Sequence, residues 1–304
     1  MDVLKVENVY KRLGKRDIIK GISFSVKEGE IFGFLGPNGA GKTTTIRMLV
    51  GLIAPNKGTI SIMGKEISKE REAALNEVGA VVENPELYSY LSGRENLNQI
   101  AAIRKVPKNE INEIIKLVGL EDRIDDKLKK YSLGMKQRLG LGAALISNPK
   151  LLILDEPTNG LDPSGIMDFR QIIRNAASKR KTSIFISSHM LSEVQQLCDT
   201  VAFIDNGVIK SIESISGDND THKKDILVLK LNEIKDSIEL LKSLDIVYNV
   251  ENQNGDIVIN IKKDSSPNII TSLVKHDIEI KEAYIKHEKL EDRYMELVEG
   301  GKRQ

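Results

Sequence analysis

The feature that most restricts the fold of this chain is the stretch IFGFLGPNGAGKTT at residues 31–44. Its second half matches the pattern G-x-x-x-x-G-K-[ST] at residues 36–43, which we call the phosphate loop. The pattern predicts a buried strand, a glycine-rich loop and a helix in succession. Glycines let the backbone of such a loop adopt the required dihedral angles and bring its N–H groups against phosphate oxygens at a helix N-terminus.

The chemistry predicted for this loop is binding of a nucleoside triphosphate. Lys42 supplies a positive charge for the β- and γ-phosphates, and the hydroxyl of Thr43 is placed to ligate Mg²⁺. An ordinary glycine-rich turn is the alternative, and the strand–loop–helix context argues against it. The predicted nucleotide-binding residues of the loop are Gly36, Pro37, Asn38, Gly39, Ala40, Gly41, Lys42, Thr43 and Thr44.

Composition narrows the class of protein. The chain has 304 residues, with 45 Lys and Arg against 44 Asp and Glu, and this balance does not favour a nucleic-acid partner. The single cysteine, Cys198, excludes an internal disulfide and is most simply a small buried apolar residue. No apolar run approaches the roughly 20 residues of a bilayer span, and the first ten residues do not resemble a signal peptide. We therefore expect a cytoplasmic protein whose membrane role depends on another chain.

Hydrophobic periodicity predicts a mostly parallel α/β sheet with an inserted helical block. Alternating or apolar runs predict strands at residues 3–9, 18–26, 31–35, 59–63, 78–82, 151–154 and 183–187. Helices are predicted after the phosphate loop, at 70–76, and at 163–178. Residues from about 84 to 145 are predicted to be helical, with amphipathic spacing at 97–103 and 111–118.

A second group of residues suited to phosphate chemistry follows the strand at 151–154. Four apolar residues deliver Asp155 and Glu156 to the carboxyl end of that strand, where ligands of open α/β sheets bind. Asp155 is suited to hold Mg²⁺, and Glu156 to polarise a water molecule for attack on the γ-phosphate. Two acids at the end of a strand are weak evidence alone, but the phosphate loop upstream favours the functional interpretation.

The order of these segments resembles that of the ATP-binding-cassette ATPases over residues 1–212. The phosphate loop is followed by the helical block, YSLGMKQR at 131–138, LLILDEP at 151–157, NGLD at 159–162 and SSH at 187–189. The resemblance implies a P-loop NTPase fold, the ABC-type nucleotide-binding domain with its helical subdomain. It also implies ATP and Mg²⁺ as ligands and a head-to-tail pair of cassettes, formed with a second copy or a paralogue.

The resemblance assigns roles to further residues. YSLGMKQR occupies the place of the family's LSGGQ signature, so Ser132, Leu133, Gly134 and Met135 would act on ATP held by the partner cassette. Ser132 and Gly134 would contact its γ-phosphate; an ordinary N-cap is the alternative for Ser132, and it would be preferred without the surrounding motifs. His189 falls where the family has its switch histidine, which contacts the γ-phosphate. Asp162 matches the residue that communicates across the dimer.

Four positions in three segments depart from the family pattern. Glu83 stands where the family usually has Gln; it can accept a hydrogen bond from metal-bound water but cannot donate as an amide does. We therefore place it with Thr43 and Asp155 in the predicted metal site, with an exposed strand-end acid as the alternative. Leu133 and Met135 replace Gly and Gln of the signature. Leu13 replaces the adenine-stacking aromatic and completes the predicted nucleotide-binding set; Tyr10 is expected to face away from it.

Glu83 with the segment NPELYSYLSGRENL and the altered signature resembles the bacitracin-resistance and lantibiotic-immunity exporters. Those motors serve multi-span permeases that remove peptide antibiotics or related amphiphiles. Leu87, Tyr88, Tyr90 and Leu91 lie where the resemblance places the permease's coupling helix. Exposed aromatic residues suit an interface, and packing inside the helical block is the equal alternative.

The tail has a different pattern. Residues 213–225 are predicted to form a linker, with the polar run SGDND at 216–220, and residues 226–304 an accessory domain. Strands at 226–231, 246–251, 256–261 and 278–285, with helices near 233–244 and 269–276, suggest a ferredoxin-like β-α-β-β-α-β domain. Asn254-Gly255 predicts a hairpin turn, and KLEDRYMELV at 289–298 resembles the closing helix of drug-export cassettes. Regulation, dimer contacts and stabilisation all stay open for this domain.

The sequence therefore predicts an ATP-hydrolysing subunit that dimerises and drives a separate integral membrane permease. It would be peripheral at the inner face of the cell membrane and would export a peptide antibiotic, bacteriocin or similar amphiphile. Alternatives are export of an unrelated substrate, or a soluble ABC-type factor acting on ribosomes or DNA. The single phosphate loop, the lack of a sustained heptad run and the neutral charge argue against the soluble factor. A non-catalytic cassette is disfavoured because Lys42, Asp155, Glu156 and His189 are all present.

Overall fold

The computed structural model describes residues 1–83, 85–215, 224–232, 234–253 and 255–286. The chain divides into two compact units, Met1–Ser216 and Gly217–Gln304, and the division falls inside the segment predicted to be a linker. The polar run at 216–220, Asn84, Asn254 and the predicted closing helix at 289–298 lie outside the described residues. None of the helices in the described ranges has the length and apolar composition of a bilayer span.

The first unit contains strands and helices in alternation. Its strands are β1 (Asp2–Leu13), β2 (Arg16–Lys27), β3 (Ile31–Leu35), β4 (Lys57–Ile62), β5 (Lys65–Glu66), β6 (Val78–Val81), β7 (Leu151–Asp155), β8 (Ser183–Ser188), β9 (Thr200–Asp205) and β10 (Val208–Ser214). Its α-helices are α1 (Lys42–Leu49), α2 (Arg71–Leu75), α3 (Gly93–Arg104), α4 (Lys108–Leu117), α5 (Leu133–Leu145), α6 (Pro163–Arg180) and α7 (Leu191–Leu197). Every element predicted within residues 1–188 is present with shifted ends, whereas the sequence assigned nothing to β5, α7, β9 and β10.

The strands form two sheets. Six strands in the order β10-β9-β3-β8-β7-β6 make a sheet that is parallel except for the antiparallel pair β9 and β10. This confirms the predicted parallel α/β sheet. Strands β2, β1, β4 and β5 form a separate antiparallel sheet. Periodicity identifies a strand but not its partner, and so the second sheet was not foreseen. β10 continues to Ser214, so the predicted linker begins inside a strand.

Four phenylalanines join the two sheets. Phe24 on β2 lies with its ring centroid 5.4–5.6 Å from those of Phe32 and Phe34 on β3 and Phe185 on β8. Phe32, Phe34 and Phe185 are each at most 1% exposed. Aromatic pairs at such distances add to the free energy gained from apolar burial. The cluster therefore fixes the position of β3 and β8, the strands that carry the phosphate loop and His189.

The helical block is built from α3, α4 and α5. Ser92 begins α3 with a reciprocal capping box, because its hydroxyl accepts from the N–H of Glu95 and its own N–H donates to the Glu95 carboxylate. The predicted block starts at about residue 84, but residues 85–92 are not helical. Asn96 holds this segment through hydrogen bonds to the N–H and carbonyl of Tyr88, so these loop residues pack on the block without extending its helices.

The second unit has the predicted ferredoxin-like order. It comprises β11 (Lys224–Leu231), α8 (Ile234–Lys242), β12 (Val247–Gln253), β13 (Asp256–Lys262), α9 (Ser266–Lys275) and β14 (Ile280–Lys286). The strands form an antiparallel sheet in the order β12-β13-β11-β14. Its buried cluster includes Leu227, Leu229, Leu241, Ile257, Ile259, Ile261, Ile269 and Leu273. Alternate residues of β13 enter this core, as expected for a sheet with one face covered.

Candidate functional site

The phosphate loop connects β3 to α1 as predicted. The first N–H of the loop, on Gly36, donates to the carbonyl of Ser188 at the end of β8 over 3.3 Å. Gly41, at φ 109°, is the N-cap of α1 and provides no side-chain cap. The N–H groups of the first turn of α1 are therefore available to an anion, which the helix dipole also favours. The loop provides the local structure that a triphosphate requires.

Two glycines of the loop are required for different reasons. A Cβ on Gly36 would lie 2.2 Å from the carbonyl oxygen of Ile204 in β9, so Gly36 allows close packing of the loop on the neighbouring strand. Gly41 combines a positive φ with a position where a Cβ would lie 2.5 Å from Ile19 Cδ1. Sequence reasoning explained the glycines by dihedral freedom and phosphate contact; at Gly36 the tight contact with β9 is the reason visible in the structure.

Lys42 is the buried cation of the site. Its side chain is 5% exposed and Nζ donates to the carbonyls of Gly36 and Pro37 at 2.7 and 3.2 Å. Nζ also lies 3.1 Å from Oε1 of Glu156. Burying an ammonium group is unfavourable unless it is paired and hydrogen-bonded. These three oxygens satisfy that requirement and hold the charge at the mouth of the phosphate loop.

Glu156 lies at the point where β7 ends, in the left-handed region at φ 44°. A non-glycine residue in this conformation costs of order 1–3 kcal/mol and is typical of functional sites. Its N–H donates to Ser187 Oγ at 3.0 Å. Oε2 accepts from Asn159 Nδ2 at 2.7 Å and lies 3.0 Å from Nδ1 of His189. The structure therefore brings the two predicted catalytic residues together.

The surroundings of Glu156 determine its protonation. Burial by itself raises the pKa of this carboxyl, but hydrogen bonds from Asn159 and Lys42, the charge of Lys42 and a smaller contribution from His189 outweigh burial. The net result is a pKa below the ordinary value for glutamate. A carboxylate that stays ionised at neutral pH can accept a hydrogen bond from water, as the predicted role requires.

Asp155, the last residue of β7, is 5% exposed. Its Oδ1 accepts from Ser187 Oγ at 2.7 Å, and β7 lies beside α1, which carries Thr43 near its start. A carboxylate and a hydroxyl are the oxygen ligands that Mg²⁺ prefers, with phosphate oxygens and water completing its shell. Among the described residues no three His, Cys, Asp or Glu side chains form a metal site by themselves. The residues present thus fit a metal shared with a nucleotide.

Glu83 is turned toward a different partner. Its carboxylate lies 2.7 Å from the guanidinium of Arg47 in the last turn of α1, and its side chain is 61% exposed. Its backbone is also left-handed, with φ 63°. Membership of the metal site stays a prediction for Glu83.

Leu13 and Tyr10 both lie near the end of β1 and are 46% and 44% exposed. The expectation that they face opposite sides assumes an unbroken strand. The register of β1 against β2 shifts between Val9 and Tyr10 and again between Lys11 and Arg12, and such shifts interrupt the alternation of side chains. Tyr10 packs on Gly21, where a Cβ would lie 2.5 Å from Tyr10 Oη.

The signature segment begins α5. Ser132 is its N-cap and accepts from the N–H of Met135 at 3.3 Å, so the ordinary capping role is present. Leu133 is 45% exposed, and a Cβ on Gly160 would lie 3.0 Å from its Cδ2. A Cβ on Gly134 would lie 3.7 Å from Leu161 Cδ2. The signature therefore packs on the loop that follows Glu156.

That loop ends at Asp162, the N-cap of α6. Its Oδ1 accepts from the N–H of Gly165 and its Oδ2 from the hydroxyl of Ser164, each at 3.0 Å. The backbone hydrogen bond, followed by that of Ser164, lowers the pKa of the Asp162 carboxyl. The residue predicted to communicate across a dimer is thus held by the helix that it begins.

A cleft of about 320 Å³ lies along the edge strand β6. Its lining includes Val81, Leu87, Ile100, Arg104, Gly140 and Ala144, so it separates the parallel sheet from the helical block. Nearby, Tyr88 and Tyr90 are 56% and 66% exposed with ring centroids 5.7 Å apart. The alternative that these two tyrosines pack inside the helical block is therefore wrong.

Sequence reasoning missed the residues that connect β7 with β8. Ser187 contacts both Asp155 and the N–H of Glu156, and it pairs with Asp155 across the parallel sheet. No local pattern distinguishes Ser187 from other strand serines. Cys198, in contrast, agrees with its predicted role, because it is buried and burial raises the pKa of its thiol.

Comparisons with known proteins agree with the geometry. The family model described as ABC transporter matches residues 19–159. The chain is 44% identical to the uncharacterized ABC transporter ATP-binding protein YhcH of Bacillus subtilis, over 97% of this chain and 95% of the relative. It is 39% identical to the bacitracin transport ATP-binding protein BcrA of Bacillus licheniformis, over 98% of each chain.

A solved structure shows the same architecture. The cbiO1 protein of Clostridium perfringens, described as part of the ABC transporter complex cbiONQ, superposes with a TM-score of 0.65 at 29% identity. The match covers 70% of this chain and 89% of that structure. Over the matched part, the two chains share one fold.

Proposed function

This chain belongs to the ABC transporter ATP-binding proteins, which hydrolyse ATP to power transport through a separate permease, and from this premise we propose that it energises export of a peptide antibiotic or a similar amphiphile. The observation that carries the substrate class is the 39% identity with a bacitracin transport protein over 98% of both chains. That match includes the accessory unit as well as the cassette. The ATP-binding function itself follows from family membership.

For hydrolysis we propose the following division of roles. Phosphate-loop N–H groups and Lys42 hold the β- and γ-phosphates, whose oxygens replace the Gly36 and Pro37 carbonyls beside Nζ. Glu156 accepts a proton from the attacking water, and His189, at 3.0 Å from its carboxylate, holds that water and the γ-phosphate in line. Asp155 and Thr43 would hold Mg²⁺, which would neutralise charge on the phosphate oxygens. Glu83 would contribute to this site by accepting a hydrogen bond from metal-bound water.

We propose that the active form is a homodimer or a pair with a paralogous cassette. Ser132 and Gly134 of one copy contact the γ-phosphate of ATP bound to the other, with Leu133 and Met135 completing the signature. The contact between Leu133 and Gly160 connects this segment with the loop that ends at Asp162. Closure of the dimer on ATP and its opening after hydrolysis provide the conformational change for transport. Adenine rests on Leu13, which offers less stacking area than an aromatic ring.

The permease is proposed to bind at the cleft beside β6. Apolar side chains of Val81, Leu87 and Ile100 line the cleft together with the charged side chains of Glu86 and Arg104. Tyr88 and Tyr90 present two aromatic rings beside it, which suits a protein interface. A short helix from a cytoplasmic loop of the permease fits such a groove. Binding there would place the protein at the inner face of the cell membrane.

The substrate class is tested by co-expressing the protein with its permease in a bacterium sensitive to peptide antibiotics. We expect the minimal inhibitory concentration of bacitracin or of a lantibiotic to rise. Glu156→Gln, expressed at the same level, should abolish the increase because transport requires hydrolysis. The same cells should be tested with a panel of peptide antibiotics, after the complex has been detected in their membranes. If their sensitivity to every compound is unchanged, the result contradicts this substrate class and favours export of an unrelated substrate.

A soluble factor acting on ribosomes or DNA is the weaker function. The relatives matched over nearly the whole chain are ABC transporter ATP-binding proteins, and the net charge of +1 gives no electrostatic attraction to nucleic acid. Copurification of an integral membrane protein with the tagged chain supports the transporter function. Copurification of ribosomes alone would overturn it.

A further inference from the structure

Glu193 is a buried carboxylate that the proposed mechanism does not use. It lies in the first turn of α7 and is 7% exposed. Its Oε1 has no hydrogen-bond partner among the described residues. Burial of an acid with one unpaired oxygen is unfavourable for folding, so a role outside stability is the natural explanation for it.

The other oxygen of Glu193 joins two loops. Oε2 accepts from Thr158 Oγ1 at 2.6 Å and from Ser188 Oγ at 3.2 Å. Thr158 follows Glu156 by two residues, and Ser188 immediately precedes His189. One carboxylate oxygen therefore joins Thr158, which follows Glu156, to Ser188, which precedes His189, and the bonds of this oxygen are to those two hydroxyls rather than to Glu156 or His189.

Ser188 is fixed from two further directions. Its Oγ accepts from the N–H of Met190 at 2.9 Å, and its carbonyl accepts from the N–H of Gly36 at 3.3 Å. Thr158 is 7% exposed, and its carbonyl accepts from the N–H of Leu161 at 3.1 Å. Because the backbone of each residue is hydrogen-bonded at another point of the molecule, the shared bond of the two hydroxyls to Glu193 sets the spacing between Thr158 and Ser188.

We propose that Glu193 is a positioning residue for ATP hydrolysis, which fixes the loop carrying Glu156 relative to the loop carrying His189. Ser187 connects β8 to β7 within the sheet through its hydrogen bond to Asp155. Glu193, on α7, connects Ser188 to Thr158 in the loop after β7. The inference rests on the roles proposed above for Glu156 and His189. It predicts an effect on kcat and not on ATP binding, because the contacts of Lys42 do not involve Glu193 and Ser188 keeps its hydrogen bonds to Gly36 and Met190 when Glu193 is replaced.

The test compares two substitutions of Glu193 in the full chain. Glu193→Ala removes the acceptor and should lower kcat about 10- to 100-fold, the effect of a misplacement of order 1 Å, while the Kd for ATP measured by titration is unchanged. Glu193→Gln retains a carbonyl oxygen that accepts from both hydroxyls and should restore most of kcat. Ser192→Ala, an exposed neighbour on α7, is the matched control for changes to the helix.

Thr158→Val provides a second route if Glu193→Ala fails to fold, since it removes one hydroxyl at nearly constant volume. It should lower kcat in the same direction, and combining it with Glu193→Ala should cost less than the sum of the two effects. The proposal is overturned if Glu193→Ala keeps the parental kcat, if ATP affinity falls together with kcat, or if Glu193→Gln is as inactive as the alanine variant. Glu156→Gln tests the proposed role of Glu156 separately from that of Glu193. If Glu156→Gln still hydrolyses ATP, the proposed role of Glu156 is wrong whatever the Glu193 variants show.

Discussion

The ammonium nitrogen of Lys42 lies 3.1 Å from Oε1 of Glu156, which joins the phosphate loop to the carboxyl end of β7. The second oxygen of the same carboxylate lies 3.0 Å from His189. Three residues that are distant in sequence thus form one polar cluster at the carboxyl ends of β3, β8 and β7.

Glu156→Gln should abolish ATP turnover. The amide keeps the size of the side chain but cannot accept a proton from water, so the chemical step fails while ATP still binds. ATP-bound dimers should then accumulate. Phosphate release measures the first effect, and size-exclusion chromatography with ATP and Mg²⁺ measures the second. Equal ATPase rates in the variant and the parent would remove Glu156 from its role.

Lys42→Ala should lose nucleotide affinity, because the variant lacks the buried charge aimed at the phosphates and leaves Glu156 without its cation. We expect the Kd for ATP to rise by at least about tenfold, or about 1.4 kcal/mol. Fluorescence titration with an ATP analogue measures this. Lys179→Ala on the exposed surface of α6 is the control. Matching titration curves for the two variants would contradict the phosphate-loop assignment.

Glu83→Gln should alter basal hydrolysis or its coupling to the permease while leaving stability nearly unchanged. The ion pair with Arg47 is exposed, so its loss should cost at most about 1 kcal/mol. ATPase rates with and without the permease, together with a thermal melt, separate the two effects. Glu72→Gln, at an exposed position on α2, is the control for the effect of replacing an exposed glutamate by glutamine. Unaltered rates in both assays would leave Glu83 as an exposed acid at the end of β6.

The lowered pKa of Glu156 predicts a pH dependence of stability. Its folded-state pKa lies below the unfolded value of about 4.3. The ionised carboxyl therefore stabilises the fold fully above that value, and the contribution is lost as pH falls through the lower folded pKa. The parent should melt at a higher temperature than Glu156→Gln at pH 5, and this difference should shrink below about pH 4. A difference that grows on acidification would contradict the sign of the shift.

Phe185→Ala should destabilise the first unit by about 3–5 kcal/mol, the usual cost of removing a buried aromatic side chain. Phe185 is fully buried and contacts Phe24, Phe32 and Phe34. Urea unfolding followed by circular dichroism gives the change in the free energy of unfolding. Ile103→Ala, at a position that is 79% exposed, is the control. Similar midpoints for both variants would show that the aromatic cluster does not hold the two sheets together.

The sequence by itself determined the phosphate loop, the two carboxylates at the end of β7, the order of strands and helices through residue 188 except for the short strand β5, and the β-α-β-β-α-β order of the second unit. These features depend on local patterns, since burial periodicity and glycine dihedrals are set by neighbouring residues. Resemblance added His189 and Ser132, which no local pattern would identify as functional.

Only the tertiary structure decided which side chains meet. The strand order β3-β8-β7 brings the phosphate loop, His189 and Glu156 together at the carboxyl ends of these strands. The hydrogen-bond partners of Ser187, Thr158 and Glu193 follow from the same order. The bulges near Tyr10 and the ion pair of Glu83 with Arg47 likewise could not be predicted from the sequence. A local pattern states how a segment folds and which face it buries. Its partner depends on packing and hydrogen bonding between segments far apart in the chain, which periodicity does not encode.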